Sequence, residues 1–359
     1  MQNDMNSMNK TYRVLQLTDL HFTLFPTLFS FFPLSLNCKR LLGVLSLTVG
    51  GRSNRFNIHT QQCAVDTVHR LQPDLCIISG DISSTALDGE YRLAESILGK
   101  ILGSQLIHTL VCPGNHDAYT KQAYNQWTIQ QYFKQYMLGR NINTTTNTST
   151  PHQLYTTNTT CTGITISTID NCINIITLNP CRYSGIKSNG EYPQQQLDDL
   201  HCMLNDLTSL HSIHNNYNIV VTHYPVLDRK TQTDYGKLHY NHGVTNNHKL
   251  IELLNNATIK PNLIIHGHVH GGYSTRLYYN TQHNSYTPIY DPGSSGQTYV
   301  KNKRSAAFNI YNISHNDAGT VSTTDSHTHQ RNPWHMNVQR YVYNGMEFRL
   351  EPEPYTSGY

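Results

Sequence analysis

The segment Leu106-Ile107-His108-Thr109-Leu110-Val111-Cys112-Pro113-Gly114-Asn115-His116-Asp117 is an apolar run that stops abruptly on a turn rich in reactive side chains. Residues Leu106 to Val111 have the length and β-branched content of a buried strand. Pro113 and Gly114 end it, and Asn115, His116 and Asp117 follow at once. The same arrangement recurs along the chain. Val14-Leu15-Gln16-Leu17 reads as a strand ending at Thr18-Asp19. Leu75-Cys76-Ile77-Ile78 ends at Gly80-Asp81, Ile219-Val220-Val221 at Thr222-His223, and Leu263-Ile264-Ile265 at His266-Gly267-His268.

Helical patterns lie between these runs. Residues 59–72 place Ala64, Val65, Val68 and Leu71 on one face, and Pro73 stops them. Asp88 caps a predicted helix running to about Leu102, with Leu93, Ile97 and Ile101 on one stripe. Residues 119–138 and 247–256 read as helices, and Pro193 opens another with Leu197, Leu200, Leu204 and Leu207 on one side. Strands alternating with helices specify an α/β fold. In such sheets the C-terminal strand edge, where all the polar turns fall, is where ligands bind.

The remaining segments set the expected boundaries. Cys172–Leu178, Tyr273–Tyr279, Ile289–Asp291 and Ala306–Ile313 read as strands. Asn344-Gly345 is a strong hairpin signal and predicts a β-hairpin over residues 334–350. Residues 141–162 are Thr- and Asn-rich and read as a mobile insertion. The expected organisation is a disordered leader at 1–11, one domain over 12–315, a C-terminal β-hairpin extension of that domain over 316–351, and a tail at 352–359.

Composition narrows the function. The chain has 359 residues, of which only 14% are charged, and a formal net charge of +3. That near balance argues against a dedicated nucleic-acid binder, and the small basic spots at Arg52, Arg55, Lys301, Lys303 and Arg304 read as solvated loop, with capture of an anionic substrate as their functional reading. The eight cysteines are scattered, with no C-x-x-C pair, which predicts reduced thiols and a cytoplasmic location. Asn-x-Thr/Ser triplets at Asn143, Asn147 and Asn158 are expected by chance in so Asn- and Thr-rich a chain. No apolar leader opens the sequence, and Pro26, Pro33, Lys39 and Arg40 interrupt the apolar stretch 22–49, so no transmembrane span is expected. That stretch reads as a hydrophobic flap packed on the domain, with membrane-surface contact as its functional reading, and residues 22–58 as a whole read as a lid over the site or as packing.

With 21 histidines in the chain, a lone histidine means little. Order and placement carry the signal. Asp19-Leu20-His21, Gly80-Asp81, Gly114-Asn115-His116-Asp117, His223 and Gly267-His268-Val269-His270 each follow an apolar strand. Taken singly, Gly-Asp is a turn and Asn-His-Asp a loop. Together they offer oxygen and nitrogen donors, without thiolate, that suit a pair of Mn, Fe or Zn ions. Alternation along an extended turn would put Asp19 beside His21 and His268 beside His270.

The set resembles the calcineurin-like metallophosphoesterase superfamily, whose motifs D-x-H, G-D, G-N-H-D/E, H and G-H-x-H are all present. The resemblance covers about residues 13–313. It implies a four-layer α/β/β/α sandwich of two mixed sheets, with a bridging hydroxide held between two divalent or mixed-valence metal ions. Carried over by motif, Asp19, His21 and His270 would bind one ion, Asn115, His223 and His268 the other, and Asp81 both. His116 would be the catalytic residue, protonating the leaving group or hydrogen-bonding the phosphoryl group. Asp117 would orient His116 or a metal ligand, its alternative reading being a helix N-terminal charge. His266 is assigned no role.

Within the superfamily the chain is similar to the bacterial-type cyclic-nucleotide phosphodiesterase-like group, on its GNHD motif and the stretch Lys39-Arg40-Leu41-Leu42-Gly43. Residues 22–58 are longer than in the cyclic AMP phosphodiesterases themselves. The implied activity is a metal-dependent phosphodiesterase acting on a small phosphorylated substrate. The alternatives are a phosphomonoesterase and a non-catalytic scaffold. Retention of every ligand and of His116 argues against the scaffold, and oligomeric state is left open.

Overall fold

The computed structural model describes residues 10–24, 55–144, 146, 148–151, 164–205, 216–279, 285–300, 305–315 and 333–352. Most of the apolar stretch 22–49, the Lys39–Gly43 motif, residues 152–163, Leu207, and the basic residues Arg52, Lys301, Lys303 and Arg304 lie outside them.

Among the described residues, fourteen strands form two sheets. The first is built from β1 (Thr11–Leu17), β2 (Leu75–Ser79), β3 (His108–Cys112), β12 (Ala307–His315), β13 (Trp334–Tyr343) and β14 (Phe348–Leu350), in the order β14-β13-β12-β1-β2-β3. The second contains β4 (Arg140–Asn143), β5 (Thr148–Pro151), β6 (Thr165–Ile169), β7 (Ile173–Thr177), β8 (Tyr217–Val221), β9 (Leu263–Ile265), β10 (Tyr273–Tyr278) and β11 (Tyr286–Asp291), in the order β10-β11-β9-β8-β7-β6-β4-β5. Both are mixed. β1, β2 and β3 run parallel, as do β7, β8 and β9, so each sheet contributes parallel strand ends to one edge.

The period-2 alternation of each central strand explains the layering. Val14, Ile77, Ile219, Val221, Leu263 and Ile265 meet in a core between the two sheets. The intervening residues point outward. Leu15, Leu17, Cys76 and Ile78 pack under helices α1 (Ile58–Leu71), α2 (Asp88–Leu102), α3 (Lys121–Gln126) and α4 (Thr128–Met137). Val220 and Ile264 pack under α5 (Gln194–Asn205) and α7 (Asn247–Asn256), with the short α6 (Tyr235–Leu238) before the latter. Both faces of each central strand are covered, which is why these strands read as continuous apolar runs. The architecture is the expected α/β/β/α sandwich, and β13 and β14 form the antiparallel hairpin signalled by Asn344-Gly345.

Local details differ from the sequence reading. Residues 119–138 are two helices, because Trp127 adopts a left-handed conformation (φ 46°) between α3 and α4. Neither Gly nor Pro marks that break. The third strand starts two residues later than expected and ends one later, since Leu106 and Ile107 belong to a turn closed by Ser104. The Thr/Asn-rich region carries β4 and β5, with Ile142 buried, and β6 precedes β7. Asp88 is the first residue of α2 rather than its cap. The turn before the helix is held by Glu90, whose carboxylate accepts the backbone N–H groups of Thr85 and Leu87 at 2.8 and 3.2 Å.

Burial pushes Glu90 up to about 7, against the lowering effect of its N–H donors. The folded chain therefore holds a proton that the unfolded chain releases above its ordinary carboxyl range near 4.3. This group's contribution to stability should fall as pH rises from about 4.5 to 7. Glu90→Gln should flatten that slope, the wild-type-minus-variant difference changing by roughly 3 kcal/mol across the window. Urea titrations at pH 4.5, 6 and 7.5 read this directly. Parallel profiles for the two proteins would contradict it.

Candidate metal centre

Every motif residue lies on a loop leaving the C-terminal end of a parallel strand. Asp19 and His21 follow β1, Asp81 follows β2, Asn115 and His116 follow β3, His223 follows β8, and His268 and His270 follow β9. The two sheets thus deliver their loops to one shared edge. Asp19, His21, Asp81 and His270 form one group and Asp81, His223 and His268 a second, with ligand atoms inside each group within 4.8 Å of one another. Asp81 belongs to both. Asn115 joins the second, its Oδ1 lying 3.1 Å from His223 Nε2 and 2.8 Å from His268 Nδ1.

The route to this convergence is not the extended alternation expected from sequence. Asp19, His21, Asp81, His268 and His270 all have positive φ, from 49° to 77°. Each side chain is aimed by a left-handed turn, a conformation that Asp and His tolerate better than most residues. Such turns cost of the order of 1–3 kcal/mol each and persist where the surroundings over-determine them. Here the bracing is explicit. The Asp19 N–H donates to Gly80 O at 3.0 Å, the His21 N–H to Asp81 O at 2.9 Å, and the His268 N–H to Asp19 Oδ2 at 2.9 Å. Gly114 is required by close approach, since a Cβ there would sit 2.2 Å from Asp81 N and Oδ1.

The donor chemistry fits metal cations. His223 Nδ1 donates to the Ser79 carbonyl at 2.9 Å, which fixes the tautomer and leaves Nε2 facing Asn115 Oδ1 and, at 3.4 Å, Asp81 Oδ2. Three lone-pair donors converging without a hydrogen of their own call for a cation. In the other group His270 Nε2 lies 3.0 Å from Asp19 Oδ1 and 3.1 Å from His21 Nε2, and His21 Nε2 lies 3.6 Å from Asp81 Oδ2.

Charge follows the same logic. Burial pushes both carboxylates up, yet His270 holds Asp19 below its usual range, and His223 and His116 hold Asp81 well below. Burial disfavours charge on His223, but Asp81 and Asp19 raise it to about 9, which shows that the two carboxylates favour positive charge at its Nε2, as a proton or as a cation in its place. Burial and the neighbouring His223 lower His268 to about 3.

Residues 12–272 match the family model described as calcineurin-like phosphoesterase. The chain belongs to that family. The phosphoesterase is a phosphoric ester hydrolase, and Asp19, His21, Asp81, His223 and His270 form its binuclear metal-binding cluster. Its fold is similar to that of a dimetal phosphatase from Danio rerio, at 10% identity and a TM-score of 0.50, the match covering 96% of this chain and 99% of that one. It is also similar to PhoD, at 8% identity and a TM-score of 0.50, covering 98% of this chain and 74% of that one. At these identities the likeness concerns the fold alone. No curated protein matches the sequence.

Three further residues lie against the motif loops. The Asp117 side chain neither orients the His116 ring nor sits at a helix start. Its carboxylate accepts the backbone N–H groups of Ile82, Ser83 and Gly114 at 3.2, 3.0 and 2.9 Å, and the Ser83 hydroxyl at 3.0 Å, pinning the Gly-Asp loop to the Gly-Asn-His loop. His266 faces the interior, with Nδ1 3.0 Å from Gly267 O, and burial lowers it to about 4. Phe56, which no motif marks, packs on the His21 ring at 4.4 Å and on His270 at 5.7 Å. The phosphoesterase also has a cavity of about 370 Å³ over the metal cluster, to which the unflagged Ser188, Tyr235 and His242 contribute. Ser188 and His242 lie on loops and Tyr235 opens the short α6, and none of them has a diagnostic spacing.

Asp117→Ala would leave three buried N–H groups without their acceptor, each worth about 1–3 kcal/mol. The expected result is a loss of roughly 3–5 kcal/mol in urea denaturation. A change below 1 kcal/mol would refute the bracing role.

Proposed function

We propose that this phosphoesterase is a two-metal phosphodiesterase acting on a small soluble diester of the cyclic-nucleotide-like kind, with Mn, Fe or Zn as the ions. In this reading Asp19, His21 and His270 hold one ion, Asn115, His223 and His268 the other, and Asp81 both. The observation that carries the diester reading is the cavity lining. Its described residues are Asp81, Asn115, His116, Ser188, Tyr235, His242, His268, Val269 and His270, with no lysine or arginine among them. A diester is a monoanion, whereas a monoester approaches a dianion near neutrality and calls for an additional cation. The six described cysteines are all free, which suits the cytoplasmic location inferred from sequence. No helix among the described residues is long and apolar enough to cross a membrane.

When bound, the ions would supply Lewis-acid neutralisation of the phosphoryl oxygens and lower the pKa of a water. The chain's own residues do the rest. Asp19 and Asp81 fix the site's negative charge where the cations must sit. His116 is the proton carrier. Its Nδ1 donates to the Ser84 carbonyl at 2.6 Å and its ring stacks on Tyr119 at 5.2 Å, so orientation is fixed and the proton that moves is the one on Nε2. Its backbone N–H donates to Asp81 Oδ1 at 2.7 Å, tying the carrier to the bridging carboxylate. Delivering that proton to the departing ester oxygen is general acid catalysis, typically worth 10²–10⁴-fold.

Hydrolysis of bis-p-nitrophenyl phosphate and p-nitrophenyl phosphate by Mn-reconstituted protein tests this. The diester should be preferred, and His116→Ala should lower kcat about 10²-fold or more. A monoester preference would replace the diester reading with a phosphatase. Undiminished turnover by His116→Ala would remove that residue from the chemistry.

A further inference from the structure

The cavity beside the metal cluster is lined in part by a loop held in a tightly constrained geometry. Residues 239–243 follow α6 and fold into a turn in which His242 N–H and Gly243 N–H both donate to His239 O, at 2.7 and 2.6 Å. The turn is tied to a second loop, Ser188 N–H donating to Asn241 O at 2.9 Å and Gly190 N–H to Gly243 O at 3.2 Å. The Tyr224 hydroxyl holds that second loop by donating to Ser188 O at 2.7 Å.

The base of the turn is equally fixed. The His239 ring stacks on Tyr235 at 4.3 Å, and its Nε2 lies 3.0 Å from Asp228 Oδ2. Gly243 is pressed against α6, because a Cβ there would lie 2.7 Å from the Gly236 Cα. A turn pinned on three sides projects His242 into the cavity, where it shares the lining with His116, Asp81 and Asn115. Its side chain is exposed, and among the described residues neither ring nitrogen has a hydrogen-bond partner. Neighbouring histidines are committed, His239 to Asp228, His223 to Ser79 and His116 to Ser84. An uncommitted imidazole on a rigid loop, opening on the reaction cavity, is suited to contact what enters it.

We propose that His242 is a specificity-determining residue that contacts the organic substituent of the phosphoester, with the Ser188 and Tyr235 side chains completing the same wall. The phosphoryl group belongs with the metal cluster and His116, and His242 is a member of neither ligand group. What lies against His242 is therefore the part of the substrate beyond phosphorus. An imidazole offers that group one hydrogen-bond donor and one acceptor, plus a flat face for an aromatic ring. The inference rests on the proposed use of the cavity for a phosphoester, but not on whether that ester is a diester.

The test uses full-length, Mn-reconstituted wild type, His242→Ala and His242→Gln. It compares kcat and KM for bis-p-nitrophenyl phosphate and p-nitrophenyl phosphate with the inhibition constant of inorganic phosphate, which has no organic substituent. His242→Ala should raise KM for the better substrate about tenfold, with kcat within about threefold and phosphate inhibition unchanged. His242→Gln, which keeps a donor and an acceptor, should recover part of the loss. An equal weakening of phosphate would place His242 on the phosphoryl group and overturn the proposal, as would an unchanged KM. The wild-type diester-to-monoester ratio, read from the same data, judges the diester reading separately.

Discussion

Two buried carboxylates, Asp19 and Asp81, sit with ligand atoms within 4.8 Å of each other, and the rest of the molecule is arranged around that fact. Buried like charges this close are sustained only by compensating positive charge. The protein surrounds them with histidines from both sheets, and neither sheet alone has the full set. Asp19, His21, Asp81 and His116 come from the first, and His223, His268 and His270 from the second. The site is therefore also a joint. His223 donates across it to Ser79, and His268 donates across it to Asp19.

Beneath the joint the packing changes character. The space between the sheets is filled by Val, Ile, Leu and Tyr, but Gln16 is buried at the top of β1. Its amide donates to Ser79 Oγ and to the His266 carbonyl, both at 2.8 Å, while its oxygen accepts from the Tyr311 hydroxyl at 2.7 Å. A fully satisfied polar residue at that position fixes the relative placement of the strand ends where apolar packing alone would tolerate sliding. The precision of the metal cluster thus depends on polar bracing immediately below it, and on the Asp117 carboxylate beside it.

Much of this was legible from sequence because the central strands are buried on both faces and end on their chemistry. The apolar runs at β1, β2, β8 and β9 gave the sheet, and the turns after them gave the cluster. What stayed hidden was conformational or non-local. The left-handed turns at Asp19, His21, Asp81, His268 and His270 carry no glycine, and Asp and His tolerate that conformation without requiring it, so the residue types do not distinguish such turns from an extended alternation. The break at Trp127 has no Pro or Gly. Glu90 and Asp117 act on backbone N–H groups outside the scope of periodicity. Ser188, Tyr235 and His242 meet the cluster only through folding, from segments remote in sequence from the motifs on the first sheet.

The central claim is that Asp81 is shared by two ions, and metal stoichiometry tests it most directly. Elemental analysis after Mn reconstitution and dialysis should find two ions per wild-type chain. Asp81→Asn, checked for folding by circular dichroism, should retain fewer than one. A wild type that saturates at one ion, or an Asp81→Asn variant that keeps two, would contradict the account.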